Sequence, residues 1–335
     1  MRKLLLVTTF LLGFGGPALA DGIPIKFTLD WKIQGVHGWF YLAEKKGYFD
    51  AEGLDVTIDQ GEGSAATVSR IMSGAYDAGF GDMNAIIQNA ATNPDEAPVM
   101  VYQIYNQPPF AVLTKTGGPV KSLKSLEGLT VGAPPGSAST KLFPALATAA
   151  GFDAEKVELL SVQKNLQEQM LIQDQVSASL VFNVTSYLNI LGIGMDPDKD
   201  FTWYPYGASG LDIYSNGVMV SPKLLKEKPE AVQGLVNAIT KAMADVLANP
   251  QEGIDIITAT EPLSNGKLEM KRLKFALDNL IFSKESKTNG IGAIDKERLT
   301  RSIATIKKLY DLPGTPSAED VFDSSFLPPM AMRSF

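Results

Sequence analysis

The chain has 335 residues, no cysteine and a formal net charge of −7 at pH 7. The absence of cysteine excludes disulfides, thiolate metal sites, cysteine nucleophiles and a lipid-bearing N-terminal cysteine. The acidic charge argues against nucleic acid as a partner, because nucleic-acid binding needs a basic surface stripe. The length allows two lobes, each with its own hydrophobic core.

The first twenty residues have the pattern of a secretory signal peptide. Arg2 and Lys3 precede an apolar run over residues 4–14, and residues 18–20 form an Ala-x-Ala cleavage site. The apolar run is shorter than the about 20 residues that a membrane-spanning helix needs. We therefore expect residues 1–20 to be removed and the mature chain to be located in the periplasm of a Gram-negative cell.

Residues 25–58 are predicted to form a strand, a loop, an amphipathic helix and a second strand. Apolar and polar residues alternate over 25–29, and apolar residues recur at helical spacing over 39–48. The loop between them holds Trp31 and His37, the only histidine of the chain. Open α/β sheets bind ligands at the carboxyl ends of their strands, so both side chains are candidates for ligand contact. Without a second histidine or a cysteine nearby, His37 is a poor candidate for a metal site.

Two loops rich in glycine and serine precede predicted helices, over residues 61–67 and 134–140. Free N–H groups at helix starts, together with hydroxyls, suit hydrogen bonding to the polar edge of a ligand. An ordinary turn with a helix cap explains each loop equally well, and Ser64 is the expected cap of the first helix. The candidates for ligand binding in these loops are Gly63, Ser64, Ser137 and Ser139.

Three sequence motifs carry a family resemblance. The first comprises LDW at residues 29–31, a histidine six residues after the tryptophan, and YLA-x-x-KGYF-x-x-x-GLDV at residues 41–56. It resembles the opening of bacterial solute-binding proteins for pyrimidine precursors of thiamine. This NMT1-like group is similar to receptors for sulfonates, taurine and nitrate, and fungal pyrimidine synthases share its fold. VGAPPGSAS at 131–139 and VFDSSFLP at 321–328 extend the resemblance over the mature chain.

The resemblance implies a two-lobe α/β fold of the periplasmic-binding-protein type, similar to its type II class. Each lobe is expected to hold a mixed sheet flanked by helices, with the ligand cleft between the lobes. Lobe 1 is expected to comprise residues 21–112 and 216–335, and lobe 2 residues 113–215. The C-terminal helices, among them one over residues 229–248, are expected to pack on lobe 1.

The resemblance and the aromatic content also suggest further side chains of the cleft. In the family, the residues that follow the strands near 78–81 and 177–183 line the cleft or touch the ligand. Aromatic rings can stack on a heterocycle, and a carboxylate such as that of Asp212 can accept from a ring amino group. A core position is the alternative for most of the aromatic side chains. The resulting candidates are Asp82, Asn84, Gln107, Phe182, Asn183, Tyr187, Tyr206 and Asp212.

The predicted cleft loops contain no arginine, whose guanidinium commonly binds sulfonate, nitrate or phosphate. This favours a neutral or zwitterionic ring, and the family resemblance favours an aminopyrimidine of the thiamine-precursor type. Residues 32–35 (KIQG) differ from the Pro/Asn/Thr-rich loop that is usual between the tryptophan and the histidine. Helix N-termini can also hold anions, so aromatic carboxylates, sulfonates and nitrate stay open as ligands.

A pyrimidine synthase is the enzymatic alternative. In the fungal synthases, a cofactor lysine and a substrate histidine lie in the segment that resembles residues 77–86. Gly81 and Ala85 occupy those positions here, and the clustered cysteines of the synthases are absent. We therefore expect a non-catalytic receptor without a cofactor or a metal. It is expected to be a monomer that closes around a small molecule and delivers it to an ABC permease, with a sensor protein as the alternative partner.

Overall fold

The computed structural model describes residues 22–335, so the signal peptide predicted for residues 1–20 lies outside the described residues. Two five-stranded sheets form the framework. Their strands are β1 (Ile23–Thr28), β2 (Leu54–Asp59), β3 (Ala78–Asp82), β4 (Val99–Gln103), β5 (Phe110–Lys115), β6 (Thr130–Ala133), β7 (Glu158–Ser161), β8 (Ala178–Phe182), β9 (Phe201–Pro205) and β10 (Asn216–Val220).

Both sheets are mixed and share one arrangement of strands. The first has the order β2-β1-β3-β10-β4, and β10 runs antiparallel to both of its neighbours. The second has the order β7-β6-β8-β5-β9, and β5 runs antiparallel to β8 and β9. We refer to the parts built around the first and second sheets as lobe 1 and lobe 2. The predicted fold class, two lobes that each hold a mixed sheet flanked by helices, is confirmed.

Helices cover the faces of both sheets. They are α1 (Gly38–Lys45), α2 (Tyr48–Ala51), α3 (Ser64–Met72), α4 (Met83–Ala90), α5 (Ala138–Lys141), α6 (Phe143–Ala150), α7 (Gln167–Ile172), α8 (Asn183–Gly192), α9 (Pro222–Glu227), α10 (Pro229–Ala248), α11 (Pro250–Thr260), α12 (Gly266–Ala276), α13 (Lys284–Asn289), α14 (Lys296–Tyr310) and α15 (Ala318–Val321). Within residues 22–335, no helix combines the length and the apolar character needed to cross a membrane.

The predicted strand–loop–helix–strand unit is present from β1 to β2. Ile25 and Phe27 of β1 are buried while Lys26 is exposed, as the alternation predicts. The chain turns after α1 at Gly47, whose φ of +67° lies in the left-handed region that glycine adopts without steric cost. The loop that carries Trp31 therefore begins at the end of β1, in the first sheet.

The chain crosses between the sheets through residues 104–109 and 206–215. β5 begins at Phe110 and pairs with β8 and β9 of the second sheet. The first crossing therefore lies ahead of residue 112, where the sequence predicted the end of lobe 1. The second crossing ends at Asn216, the first residue of β10.

The C-terminal helices contact both lobes. α10 has the predicted bounds, and it packs with α11 against α1 of lobe 1. α14 packs against α4 of lobe 1 and α6 of lobe 2. The hydroxyl of Tyr310, at the end of α14, donates to the carbonyl of Lys141 in lobe 2. The C-terminal helices thus pack on lobe 1, as expected, and α14 also contacts lobe 2.

Candidate functional site

A narrow cavity lies between the two lobes. The empty space between its walls, including the part open to solvent, is about 320 Å³. The side chains that line it are Asp30, Trp31 and Ser64 from lobe 1, and Ser137, Gln167, Phe182 and Thr185 from lobe 2.

Strand ends and helix starts position these side chains. Asp30 and Trp31 follow β1, and Phe182 is the last residue of β8. Ser64 is the first residue of α3, and Gln167 is the first residue of α7. The placement agrees with the rule that open α/β sheets bind ligands at the carboxyl ends of their strands.

Asp30 places a buried carboxylate on the cavity wall. Its Oδ1 accepts from His37 Nε2 at 2.8 Å, and its Oδ2 accepts from Asn216 Nδ2 at 2.7 Å. A carboxylate has about four acceptor positions, so both oxygens keep capacity for a ligand donor. Asp30 is absent from the predicted site, although its place beside Trp31 at the end of β1 is the signal that identified Trp31.

His37 supports Asp30 from behind the wall. The backbone N–H of Gln34 donates to His37 Nδ1 at 3.1 Å, so Nδ1 carries no proton and the proton on Nε2 is donated to Asp30. The His37 side chain is 1% exposed. Both ring nitrogens therefore have protein partners, and the ligand contact predicted for His37 finds no free ring atom.

Trp31 contributes an aromatic ring and an unpaired donor. Its Nε1 is buried and has no hydrogen-bond partner in the described part of the chain. A buried donor costs free energy unless another atom accepts from it. Lys164 of lobe 2 lies 6.0 Å from the indole ring centroid and donates to the carbonyl of Gly61 at 2.7 Å. The indole thus lies beside a contact between the lobes, with its N–H left for a ligand acceptor.

Serine hydroxyls line the cavity where helix starts of the two lobes meet. Ser64 Oγ accepts from the backbone N–H of Ala138 across the lobes at 3.3 Å, which leaves its own proton for another acceptor. The hydroxyls of Ser137 and Ser139 are bonded to each other at 2.8 Å. Gly63 holds the N-cap position of α3, so the prediction that Ser64 caps this helix is wrong.

Three further side chains of lobe 2 complete the wall. Gln167 Nε2 donates to the carbonyl of Leu180 at 2.9 Å. Thr185 Oγ1 donates to Gln34 Oε1 of lobe 1 at 3.2 Å. Phe182 supplies the aromatic part of this side. Gln167 and Thr185 carry no sequence signal, because polar residues in the first turn of a helix are common.

The lobes meet at a glycine-to-glycine contact beside the cavity. The backbone N–H of Ala66 donates to the carbonyl of Gly136 at 3.2 Å. A Cβ atom at Gly136 would lie 2.3 Å from the carbonyl oxygen of Glu62, and one at Gly63 would lie 2.0 Å from the carbonyl oxygen of Gly136. The described conformation is therefore closed at this point, and only glycine permits the two loops to approach so closely.

Asp82, Asn84 and Tyr206 are buried supports and are not among the lining side chains. Asn84 Nδ2 donates to Asp82 Oδ1 at 3.0 Å and to the carbonyl of Tyr214, in the second crossing, at 2.7 Å. Tyr206 donates its hydroxyl proton to the carbonyl of Ser139 at 2.7 Å. These three side chains, predicted to contact a ligand, instead form hydrogen bonds that hold the second crossing and the serine loop in place.

Of the three side chains predicted near the end of β8, one lines the cavity. Phe182 lines the cavity. The backbone N–H of Asn183 donates to the carbonyl of Pro109 in the first crossing at 2.8 Å. The hydroxyl of Tyr187 donates to Asp198 Oδ2 at 2.7 Å, away from the cavity. Asn183 and Tyr187 thus stabilise lobe 2 and the crossing.

Gln107 and Asp212 border a separate, open cleft beside the crossings. Arg298 Nε donates to Asp212 Oδ1 at 3.0 Å, and the Asp212 side chain is 68% exposed. Asp212 therefore accepts from an arginine and does not line the cavity that Asp30 and Trp31 line. The sequence could not show this, because Asp212 and Arg298 lie far apart in the chain.

The buried carboxyl of Asp82 predicts an unusual dependence of stability on pH. Burial raises its pKa from 3.8 to about 7, and hydrogen bonds from Asn84 and the Ala85 N–H offset only part of this effect. Between pH 4 and 7 the folded state then binds more protons than the unfolded state, so this carboxyl lowers the free energy of unfolding as the pH rises. Over this pH range the free energy of unfolding falls by on the order of 4 kcal/mol.

We expect Asp82→Asn to remove this loss, because asparagine caps a helix as well as aspartate does. Urea unfolding at pH 4.5, 5.5, 6.5 and 7.5 measures the effect. The stability of the variant relative to the natural chain should rise with pH. A constant difference over this range would contradict the prediction.

Comparison with known proteins identifies the family. Residues 34–253 match the family model described as NMT1/THI5 like. The chain belongs to this family. The match includes lining residues from both lobes, such as Ser64, Ser137 and Thr185.

Relatives in this family include small-molecule-binding proteins. The riboflavin-binding protein RibY of Chloroflexus aurantiacus is 24% identical over 86% of this chain and 82% of its own length. A formylaminopyrimidine-binding protein of Halalkalibacterium halodurans is 25% identical over 90% of this chain and 89% of its own. The solved alkanesulfonate-binding protein SsuA of Xanthomonas axonopodis, bound to MOPS, aligns with a TM-score of 0.67 at 13% identity, over 89% of this chain and 96% of its own. The fold is thus that of periplasmic binding proteins.

Enzymes also occur in the NMT1/THI5-like family. A 4-amino-5-hydroxymethyl-2-methylpyrimidine phosphate synthase of Saccharomyces cerevisiae is 25% identical to this chain over 74% of each sequence. Family membership alone therefore does not separate a receptor from a synthase, and the residues of the site must decide.

Proposed function

We propose that this protein is an extracytoplasmic solute receptor that captures a small, flat heterocycle between its lobes. The observation that carries the proposal is the pair Asp30 and Trp31, in which a buried carboxylate stands beside an indole N–H without a partner in residues 22–335. A 4-aminopyrimidine has the complementary pair on one edge, an amino group that donates and a ring nitrogen that accepts. The best candidate ligand is therefore an aminopyrimidine of the thiamine-precursor type.

The charge of the lining favours such a ring over an anion. Of the seven lining side chains, only that of Asp30 is acidic, and none is lysine or arginine. A sulfonate, nitrate or aromatic carboxylate would bring a second negative charge close to Asp30 in a poorly solvated space. These anions are the alternative ligands. Riboflavin, which one relative is named for binding, is a further alternative.

Closure of the lobes around the ligand is the proposed mechanism. Trp31 and Ser64 belong to lobe 1, whereas Ser137 and Phe182 belong to lobe 2. A ligand that contacts both sets stabilises the closed form over an open one and shifts the population of the hinge states. We propose that the monomeric closed form then delivers the ligand to an ABC permease from the periplasm. A sensor protein is the alternative partner.

The packing around Gly81 supports a receptor over a synthase. A Cβ at Gly81 would lie 2.7 Å from Thr67 Cβ and 2.8 Å from the carbonyl oxygen of Ser64. The position that resembles the cofactor lysine of the synthases therefore has no space for a side chain. Ala85 stands at the position that resembles their substrate histidine.

A thermal-shift screen of the mature chain tests the ligand class. The panel comprises 4-amino-5-hydroxymethyl-2-methylpyrimidine, riboflavin, taurine, nitrate and benzoate. A ligand at 100 times its Kd adds about 2.7 kcal/mol of stability, which is a visible rise in Tm. We expect the aminopyrimidine to produce it. A rise with taurine, nitrate or benzoate alone would overturn the assignment of Asp30 and Trp31.

Trp31→Phe is expected to weaken aminopyrimidine binding about tenfold, or by about 1.4 kcal/mol, because it keeps an aromatic ring but removes the N–H donor. Calorimetric titration measures the Kd. Trp203→Phe is the matched control, since Trp203 Nε1 donates to the carbonyl of Pro197 at 2.9 Å within lobe 2. An unchanged Kd for Trp31→Phe would remove the indole N–H from the site.

A further inference from the structure

Gln34 is a buried residue of the loop between Trp31 and His37, and only one of the two polar atoms of its side-chain amide has a hydrogen-bond partner. Its Oε1 accepts from Thr185 Oγ1, but its Nε2 has no partner among the described residues. Turning the amide by 180° would exchange the two atoms, and one of them would still lack a partner. An unpaired buried amide group costs free energy, so a compensating role is expected.

The position of Gln34 connects it to the other recognition groups. Its backbone N–H donates to His37 Nδ1, and His37 Nε2 donates to Asp30 on the cavity wall. Thr185, the partner of its side chain, lines the cavity from lobe 2. Gln34 therefore touches the support of Asp30 on one side and the opposite lobe on the other.

The bond between Gln34 and Thr185 requires a closed cleft. Gln34 follows β1 in lobe 1, and Thr185 lies in the first turn of α8 in lobe 2. Their side chains meet at 3.2 Å only because the lobes are together. A ligand atom that fixes the orientation of the Gln34 amide would strengthen its bond to Thr185. Closure of the lobes would in turn fix the amide in the orientation that binds the ligand.

We propose that Gln34 is a specificity-determining residue of the site, where its amide N–H binds a second acceptor of the ligand and its Oε1 couples that contact to closure through Thr185. The inference rests on the proposed function, since it needs a ligand in this cavity. Gln34 lies behind the seven lining side chains, and together with Trp31 it gives the loop two buried N–H groups without a partner in residues 22–335. A 4-aminopyrimidine matches these two donors and the acceptor Asp30 with two ring nitrogens and one amino group.

Four chains test the proposal: the natural protein, Gln34→Met, Thr185→Val and the double variant. Gln34→Met conserves volume and removes both polar atoms, and Thr185→Val removes only the bond between the lobes. The probe is 4-amino-5-hydroxymethyl-2-methylpyrimidine, with Kd measured by calorimetry. We expect Gln34→Met to weaken binding at least about tenfold and Thr185→Val about threefold, with the double variant within about twofold of Gln34→Met.

Matched controls separate this role from a structural one. Gln233→Met changes a half-buried glutamine of α10 that bonds to Asn237 and to the carbonyl of Phe326, so its Kd should equal that of the natural protein. A Gln34→Met variant that has a lower Tm but the natural Kd would overturn the proposal. The proposal would also be overturned if the losses of affinity in the two single variants multiplied in the double variant. If Gln34→Met does not fold, Gln34→Glu keeps an acceptor for Thr185, removes the donor, and should weaken binding equally.

Failure of the proposed function can be distinguished from failure of the proposal about Gln34. If the natural protein does not bind the probe, the aminopyrimidine assignment is overturned, and the coupling of Gln34 to closure is decided without a ligand. The chain has no cysteine, so Glu96→Cys and Lys156→Cys provide one spin label on each lobe. Thr185→Val and Gln34→Met should then widen the interlobe distance distribution to the same extent. No change in either variant would overturn the coupling.

Discussion

Replacing Gly136 with alanine should hold the lobes apart and weaken ligand binding at least about 100-fold, or by about 2.8 kcal/mol. The new Cβ would lie 2.3 Å from the carbonyl oxygen of Glu62 and 3.1 Å from the Cβ of Ala66. Both are atoms of the opposing loop, and the first belongs to the backbone, so the contact cannot be relieved by a side-chain rotation. The lobes must separate, and the bond from the Ala66 N–H to the Gly136 carbonyl is lost.

Two measurements distinguish this effect from unfolding. Calorimetry reports the Kd, and the spin-label pair at positions 96 and 156 reports the distance between the lobes. Thermal unfolding should change little, because each sheet and its helices remain intact. Gly207→Ala is the control, since a Cβ at this exposed position of the second crossing would meet only Pro108 Cγ at 4.0 Å. A Gly136→Ala variant with the natural Kd and the natural distances would show that the closed contact is not needed for binding.

The fold could be predicted because its signals are local. The alternation over β1, the helical spacing in α1 and the glycine at Gly47 each specify an element without reference to the rest of the chain. The bounds of α10 were equally accessible, since Pro229 starts the helix and Asn249-Pro250 ends it. The position of the first crossing was not, because residues 99–103 and 110–115 form two apolar strands that are close in sequence, and only their pairing shows that they belong to different sheets.

The site could be predicted only where a side chain follows a strand end or a helix start. Trp31, Ser64, Ser137 and Phe182 meet this condition and line the cavity. Asp212 does not line it, because the guanidinium of Arg298, distant in sequence, binds its carboxylate. Tertiary contacts thus determine which polar groups remain free for a ligand.

His37 illustrates the same limit. A lone histidine in a polar loop suggests a ligand contact, and its chemistry allows one. The hydrogen bonds decide otherwise, since Gln34 N–H and Asp30 occupy its two ring nitrogens. His37 still supports the candidate site, because its Nε2–H donates to Asp30. The remaining acceptor positions of Asp30 stay open to the cavity.

Asp30→Asn should abolish aminopyrimidine binding within the measurable range, a loss of at least about 100-fold in affinity. Two effects add. The substitution removes the carboxylate that is proposed to accept from the ligand amino group. It also places an NH₂ group against either His37 Nε2–H or Asn216 Nδ2, because these two donors occupy one oxygen of Asp30 each. Two donors that face each other in a buried position cost on the order of 1–3 kcal/mol, so Tm should fall as well.

A second substitution separates the two effects. In the double variant Asp30→Asn/Asn216→Asp, the amide at position 30 accepts from His37 Nε2 and donates to the carboxylate at position 216. Every hydrogen bond of this trio is thereby restored, with the negative charge moved off the cavity wall. We expect Tm to recover toward that of the natural protein while the aminopyrimidine Kd, measured by calorimetry, stays at least about 100-fold weaker. Recovery of both would mean that Asp30 shapes the loop and does not touch the ligand. Recovery of neither would mean that position 216 does not tolerate a charge, and Asn216→Asp alone, measured in parallel, identifies that case.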